Sequence, residues 1–232
     1  MKNITIEEHE GILVLRDDLL PGGTKSVLMP KLIGDAAEYV YATPVYGAFQ
    51  IALANYCKSK GIKATIFCAR RKNKHPNTIT AKQAGATIVE VDHGYLSVVE
   101  KKAKDHCERT GAVKLVFGAK TPEAIKIISE RCKAVIKEIG KEPDEIWCAV
   151  GSGTLVEGIL AATKTAKVFG VVVGIDYKND HPRLNLIKYR KPFDKVSNYK
   201  APFPSMANYD LKAWEMCDTL SKSENCLFWN VC

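Results

Sequence analysis

The sequence predicts an α/β fold in which parallel sheets are covered by helices on both faces. Two observations carry that prediction. Short apolar runs alternate with helix-like runs along most of the 232 residues, and the connections between them are short. The most hydrophobic run, Val168-Phe169-Gly170-Val171-Val172-Val173, reads as a strand buried within such a sheet.

Taken in order, Gly11-Ile12-Leu13-Val14-Leu15 reads as the first buried strand, and Pro21-Gly22-Gly23 as an exposed turn. A helical-looking segment covers 31–38, followed by a strand at 38–42 that ends at Thr43-Pro44. A helix over 47–59 is closed by Gly61, as glycine commonly does. Strands at 63–68, 87–91 and 113–117 then alternate with helices at 78–85 and 96–109. The run 122–139 is a long amphipathic helix, with Ala124, Ile125, Ile127, Ile128, Ala134, Val135 and Ile136 on its apolar side. Glu145 to Val150 is a strand leading into a glycine turn and a further helix. From Asp176 to Asn208 the pattern gives way to a polar stretch broken by Pro182, Pro192, Pro202 and Pro204, read as a loop over the mouth of a site. A helix over 209–221 and a strand at 226–230 end the chain.

The apolar fraction of 46% and charged fraction of 26% are those of a globular protein with a sizeable core. No apolar run approaches the roughly 18 residues that span a bilayer. The leading stretch Met1 to Glu8 lacks the hydrophobic core of a signal peptide, so a cytoplasmic location is expected. The eight cysteines are scattered without a C-x-x-C pair or clustered histidines, which argues against a metal site or a disulfide framework. A net charge of +8 gathers at Lys58-Ser59-Lys60, at Arg70-Arg71-Lys72-Asn73-Lys74 and between Arg183 and Lys200. Such charge is either a solvated face or a surface for a polyanion such as nucleic acid, and no nucleic-acid-binding motif accompanies it.

Two stretches carry chemistry. Lys25 stands just past Gly22-Gly23, where a lysine is either a surface charge or a nucleophile activated by desolvation in a pocket. Gly151-Ser152-Gly153-Thr154 stands between a strand and a helix. Its small residues let backbone amides and the helix dipole meet a phosphate, with the Ser152 and Thr154 hydroxyls as further donors. The turn has neither the lysine of a P-loop nor the spacing of a dinucleotide fingerprint, and its alternative reading is a tight structural connection.

Together, Arg16-Asp17-Asp18-Leu19 to Gly22-Gly23-Thr24-Lys25 and Gly151 to Thr154 with Glu157-Gly158 resemble the pyridoxal-phosphate-dependent enzymes of fold type II, the tryptophan synthase β-subunit type. The similarity is greatest to the aminocyclopropanecarboxylate deaminase and D-cysteine desulfhydrase branch. Lys31 to Ala36, Lys63 to Ile66, Lys82 to Ile88 and Leu227-Phe228-Trp229 also resemble that family, and the resemblance covers nearly the whole chain. It implies two three-layer α/β/α subdomains with the cofactor cleft between them, a larger one over 1–40 and 140–232 and a smaller one over 41–139, in a chain shortened toward its C-terminus. It also implies Lys25 as the lysine carrying pyridoxal 5'-phosphate as a Schiff base, Gly151 to Thr154 as the phosphate loop, and a homodimer. Ala213-Trp214-Glu215 resembles the branch's Val-Tyr-Glu segment, which makes Glu215 the carboxylate facing the pyridine nitrogen.

The chain departs from the family where Thr43-Pro44-Val45-Tyr46-Gly47 replaces the Ser-Asn or Gly-Asn-His turn that holds the substrate carboxylate and the ring hydroxyl. Its tail, Asn230-Val231-Cys232, lacks the usual glycine pair. Tyr46 is the residue placed to take over a polar or proton-donating role of the missing asparagine. The expected activity is a lyase acting on an amino acid by deamination or β-elimination, with Lys25 as general base once the substrate amine has displaced it. The altered turn and basic charge leave open a decarboxylation or cleavage of an amino acid attached to a modified nucleic-acid base, as in viral DNA hypermodification. A non-catalytic cofactor-binding relative is the third reading.

Overall fold

The computed structural model describes residues 3–92, 94–174 and 176–232; Met1 and Lys2 of the leading stretch read above lie outside them. The chain forms two compact units, residues 1–20 with 120–232, and residues 21–119. The joins anticipated from the sequence lie near 40 and 139. The segment 23–32, with the 3₁₀ turn Gly23–Val27 and α1 (Met29–Leu32), packs on α2 (Phe49–Lys60) in the second unit. Helix α5 (Pro122–Ile139) packs along α6 (Thr154–Ala162) in the first.

The first unit holds a six-stranded sheet ordered β1-β2-β10-β7-β8-β9, formed by Ile6–His9, Ile12–Arg16, Cys226–Asn230, Glu145–Val150, Lys167–Val172 and Leu184–Lys188. All neighbours are parallel except the β1–β2 hairpin. Alternation sorts its residues by face. Ile12, Val14, Trp147, Ala149, Val171 and Phe228 pack with Ala213, Trp214 and Cys217 of α7 (Asp210–Leu220). Ile146, Cys148 and Trp229 point the other way and are fully buried.

Two strands are not foreseen from sequence. The apolar pattern starts the sheet at Gly11 and omits β1, whose Ile6-Glu7-Glu8-His9 is mostly polar and only partly buried. The same pattern makes 176–208 a loop. Within it β9 pairs in parallel with β8, and the rest is tied down by polar contacts. Arg183 donates to the carbonyls of Leu160, Thr163 and Ala166 at the end of α6, at 2.9 to 3.0 Å. Lys212 donates to the Pro192 carbonyl at 2.8 Å. Local alternation is too weak there to announce a strand, and the pairing comes from the edge that β8 presents.

The second unit has a four-stranded parallel sheet, ordered β5-β4-β3-β6, from Thr87–Val91, Lys63–Ala69, Glu38–Ala42 and Val113–Lys114. Helix α4 (Leu96–Thr110) covers one face through Val99 and Ala103 against Val40, Ala42 and Phe67. Helix α2 packs on α3 (Pro76–Gln83) as well as on β4. The anticipated helix over 31–38 shortens to α1, and the anticipated strand 113–117 to β6. All eight cysteines are free thiols and six are buried, so they pack as small hydrophobes. No helix among the described residues is long and apolar enough to cross a membrane.

One buried ion pair organises the first unit. Asp17, with no exposed surface, accepts from Arg131 Nε on α5 at 3.1 and 3.0 Å and from Trp229 Nε1 on β10 at 3.0 Å. Breaking such a pair leaves an uncompensated buried charge. The Asp17→Ala variant is expected to lose about 3–5 kcal/mol of unfolding free energy in urea titration. A loss near that of an exposed ion pair, below about 1 kcal/mol, would contradict this account.

Candidate functional site

Lys25 lies on the 3₁₀ turn Gly23–Val27, and the residue before that turn explains the glycine. Gly22 has φ +90°, and a Cβ there would sit 2.3 Å from the Ala52 Cα of α2. Only glycine supplies both the left-handed backbone and the close approach. The turn therefore beds on α2 and presents Lys25, half-buried, beside the Phe49 ring, whose centroid is 5.7 Å from Nζ. Lys25 Nζ donates to the Gly118 carbonyl at 3.0 Å. The Gly118 amide in turn donates to Tyr41 Oη at 3.2 Å. Burial pushes the Tyr41 hydroxyl up to about 12, so it stays neutral and able to accept. Neither Gly118 nor Tyr41 is foreseen from sequence, because 93 residues separate Lys25 from Gly118.

Tyr46 belongs to the same unit, in the loop after β3. It is half-buried, its ring is edge-on to His75 at 4.9 Å, and its carbonyl accepts from Asn77 Nδ2 at 2.9 Å. The replaced turn Thr43–Gly47 is closed by Gln50, whose Nε2 donates to the carbonyls of Val45 at 3.0 Å and Gly47 at 2.7 Å. Desolvation lowers the pKa of His75, keeping its imidazole neutral near pH 7.

In the first unit the glycine turn runs from the end of β7 into α6. Gly153 is the left-handed N-cap at φ +88°, and Thr154 is the buried first residue of the helix. The Ser152 and Thr154 hydroxyl oxygens are 3.0 Å apart. Two tyrosines close on the turn. A Cβ at Gly153 would meet the Tyr177 ring at 2.1 Å, and one at Gly151 would lie 3.1 Å from Tyr209 Oη, to which the Gly151 amide hydrogen-bonds. Tyr177 Oη donates to Glu157 Oε1 at 2.8 Å, and Lys120 Nζ reaches the same carboxylate oxygen at 2.8 Å. Burial and the bond to Glu157 hold the Tyr177 hydroxyl near 12.

Glu215 sits on α7 with its carboxylate engaged by three donors. Tyr189 Oη and Ser197 Oγ donate to Oε2 at 2.6 and 2.8 Å, and Arg190 Nη2 donates to Oε1 at 2.6 Å. Burial raises its pKa, but these donors outweigh burial and the net shift is downward. Glu215 thus latches the 184–199 segment onto α7.

Asp210, at the start of α7, is in the opposite state. It is wholly buried; Oδ2 accepts from the Cys232 amide at 3.0 Å, and Oδ1 has no hydrogen-bond partner among the described residues. Asn208 Nδ2 and Trp214 Nε1 are also buried without a partner. Asp210 thus keeps an unmet buried acceptor in a segment whose Tyr209 touches the glycine turn, and a buried polar atom without a partner calls for an explanation. The Ser152 and Thr154 hydroxyls at the N-terminus of α6 fit a phosphate, and the unmet Asp210 oxygen fits a protonated ring nitrogen.

The model of the family described as "Pyridoxal-phosphate dependent enzyme" matches residues 5–219. A homologue of ACC deaminase superposes with a TM-score of 0.76 at 16% identity, over 95% of this chain and 83% of that one. O-acetyl serine sulfhydrylase isoform 3 from Entamoeba histolytica gives a TM-score of 0.69 at 15% identity, over 99% and 84%. A hydrogen sulfide-producing enzyme from Fusobacterium nucleatum gives 0.61 at 19% identity, over 73% of this chain and 61% of that one. These identities show a common fold. No curated protein matches the chain.

Burial raises the Asp210 pKa to about 8, against the lowering effect of the Val231 and Cys232 amides. The folded chain keeps this proton between about pH 4 and pH 8, where the unfolded chain has released it. Stability of the cofactor-free protein is therefore expected to fall as pH rises through that window. Asp210→Asn should flatten the dependence, as read by urea midpoints; an unchanged slope would place the titration elsewhere. Gly22→Ala is expected to destabilise by about 2 kcal/mol or more, through the Ala52 clash and the strained backbone.

Proposed function

We propose that this chain, which belongs to the pyridoxal-phosphate-dependent enzyme family and has its fold type II architecture, is a lyase that deaminates a small amino acid or eliminates its β-substituent. The observation that carries this reading is Lys25, set on a glycine-bedded turn with its amine held by the Gly118 carbonyl. Pyridoxal phosphate, the cofactor of the family, supplies an electron sink for the pair left when a bond at the substrate α-carbon breaks.

The protein's own groups do the rest. Lys25 anchors the cofactor and, once released, takes the α-proton at Nζ and returns it. The hydroxyls of Ser152 and Thr154, with Gly151 and Gly153 and the N-terminus of α6, hold the phosphate. We assign the acid facing the ring nitrogen to Asp210 rather than to the anticipated Glu215. Glu215 has three donors already, whereas Asp210 Oδ1 has an unmet acceptor and a proton to share. Tyr46 takes the polar role of the asparagine that the replaced turn lacks.

The test is direct. Protein purified with added pyridoxal phosphate is expected to show a visible absorption band that borohydride abolishes, leaving a pyridoxyl adduct on the Lys25 peptide. Lys25→Ala should lack the adduct. The holoenzyme should release ammonia or sulfide, with a keto acid, from a panel including aminocyclopropanecarboxylate and D-cysteine. Asp210→Asn should shift the band, whereas Glu215→Gln should leave it in place. A protein that stays colourless with added cofactor would sink the catalytic reading.

A further inference from the structure

The net charge of this chain belongs to one of its units. Residues 21–119 carry 15 Lys and Arg against seven Asp and Glu, while the remainder holds 19 of each. The whole +8 therefore lies on the smaller unit. Uneven charge of this kind is the electrostatic footprint to look for in a polyanion-binding surface, and its position decides.

Within that unit, three loops leave the C-terminal ends of adjacent parallel strands, where open α/β sheets take their ligands. Arg70, Arg71, Lys72 and Lys74 follow β4 and are all exposed. Arg70 pairs with Asp92 at 2.9 Å and Lys74 pairs with Glu90, whereas Arg71 and Lys72 have no acidic partner among the described residues. Tyr95 follows β5 and is 80% exposed, more than any other large hydrophobic side chain described. Tyr46 follows β3. A cavity of about 70 Å³ joins the three loops, lined among others by Thr43, Tyr46, Ala69, Arg71, Gly94 and Leu96. Arg71 and the replaced turn thus border the same space.

An aromatic ring left in water, on a loop that borders the same cavity as Arg71, offers a stacking platform and a phosphate contact on one edge, the pairing used on single-stranded nucleic acids. We propose that this edge of the smaller unit binds single-stranded nucleic acid, with Arg71 and Lys72 on phosphates and a base stacked on Tyr95. A duplex keeps its base faces covered and leaves Tyr95 without a partner. The proposal needs no cofactor, so its failure and the failure of the lyase reading are separate outcomes.

The test is fluorescence anisotropy of a labelled oligothymidylate of about twelve nucleotides, titrated with the full chain. Binding is expected to weaken between about 50 and 200 mM salt, with a log–log slope of about −1.4 or steeper for two phosphate contacts. R71E/K72E should weaken binding about tenfold or more and make the slope shallower by about 1.4. Y95A should weaken it about tenfold with the slope unchanged, since stacking releases no counterions. K101E/K102E, the same charge change on the exposed face of α4, should leave affinity within about threefold. Circular dichroism checks that each variant is folded. No binding at the lowest salt, equal weakening by both charge reversals, or stronger binding to phosphatidylserine vesicles than to the oligonucleotide would overturn the proposal.

Discussion

A carboxylate with no access to water holds the first unit together. Asp17 draws Arg131 from α5 and the Trp229 indole from β10 onto one side chain, joining elements more than a hundred residues apart in sequence. Its neighbours in the Arg16-Asp17-Asp18 run serve the same end. Arg16 makes two bonds to Asp18, at 2.9 and 2.8 Å, and pairs with Glu7 of β1. Buried charges are tolerated only when every partner is in place. The run that the resemblance treats as an opening signature is thus explained as a fastening of β2 immediately ahead of the lysine turn. Its effect on chemistry passes through the backbone it holds.

The contrast between Glu215 and Asp210 has a common physical root. Both lie on α7 and both are buried, but burial costs a carboxylate its hydration unless donors replace it. Three donors replace it at Glu215, which stays ionised and acts as a latch. At Asp210 the backbone amides serve one oxygen and leave the other unmet, so the group keeps its proton. Such a deficit is the exception among buried polar groups.

The second unit brings two loops to one cavity. The turn after β3 is held by Gln50, which donates to two of its carbonyls. The loop after β4, bordering the same cavity, supplies cations in excess of local acids.

Much of this was legible in the residues. Alternation of apolar runs and helices marked the strands from Ile12 to Asn230 and the parallel sheets, because a strand covered on both faces writes its burial into local composition. Lys25 and Gly151 to Thr154 stood out because tight turns and close approaches demand small residues at fixed offsets. Strands β1 and β9 left no such mark, since pairing at a sheet edge depends on the neighbour more than on the strand itself. The difference between the two carboxylates of α7 was also hidden. Glu215 and Asp210 are five residues apart on one helix, and the sequence records that both can carry charge but not which donors reach them. The sequence determined the turns, the strand order of burial and the chemistry available. Only the tertiary structure decided which carboxylate is satisfied and which cations stand unpaired, because hydrogen bonding and desolvation are set by groups brought together from distant parts of the chain.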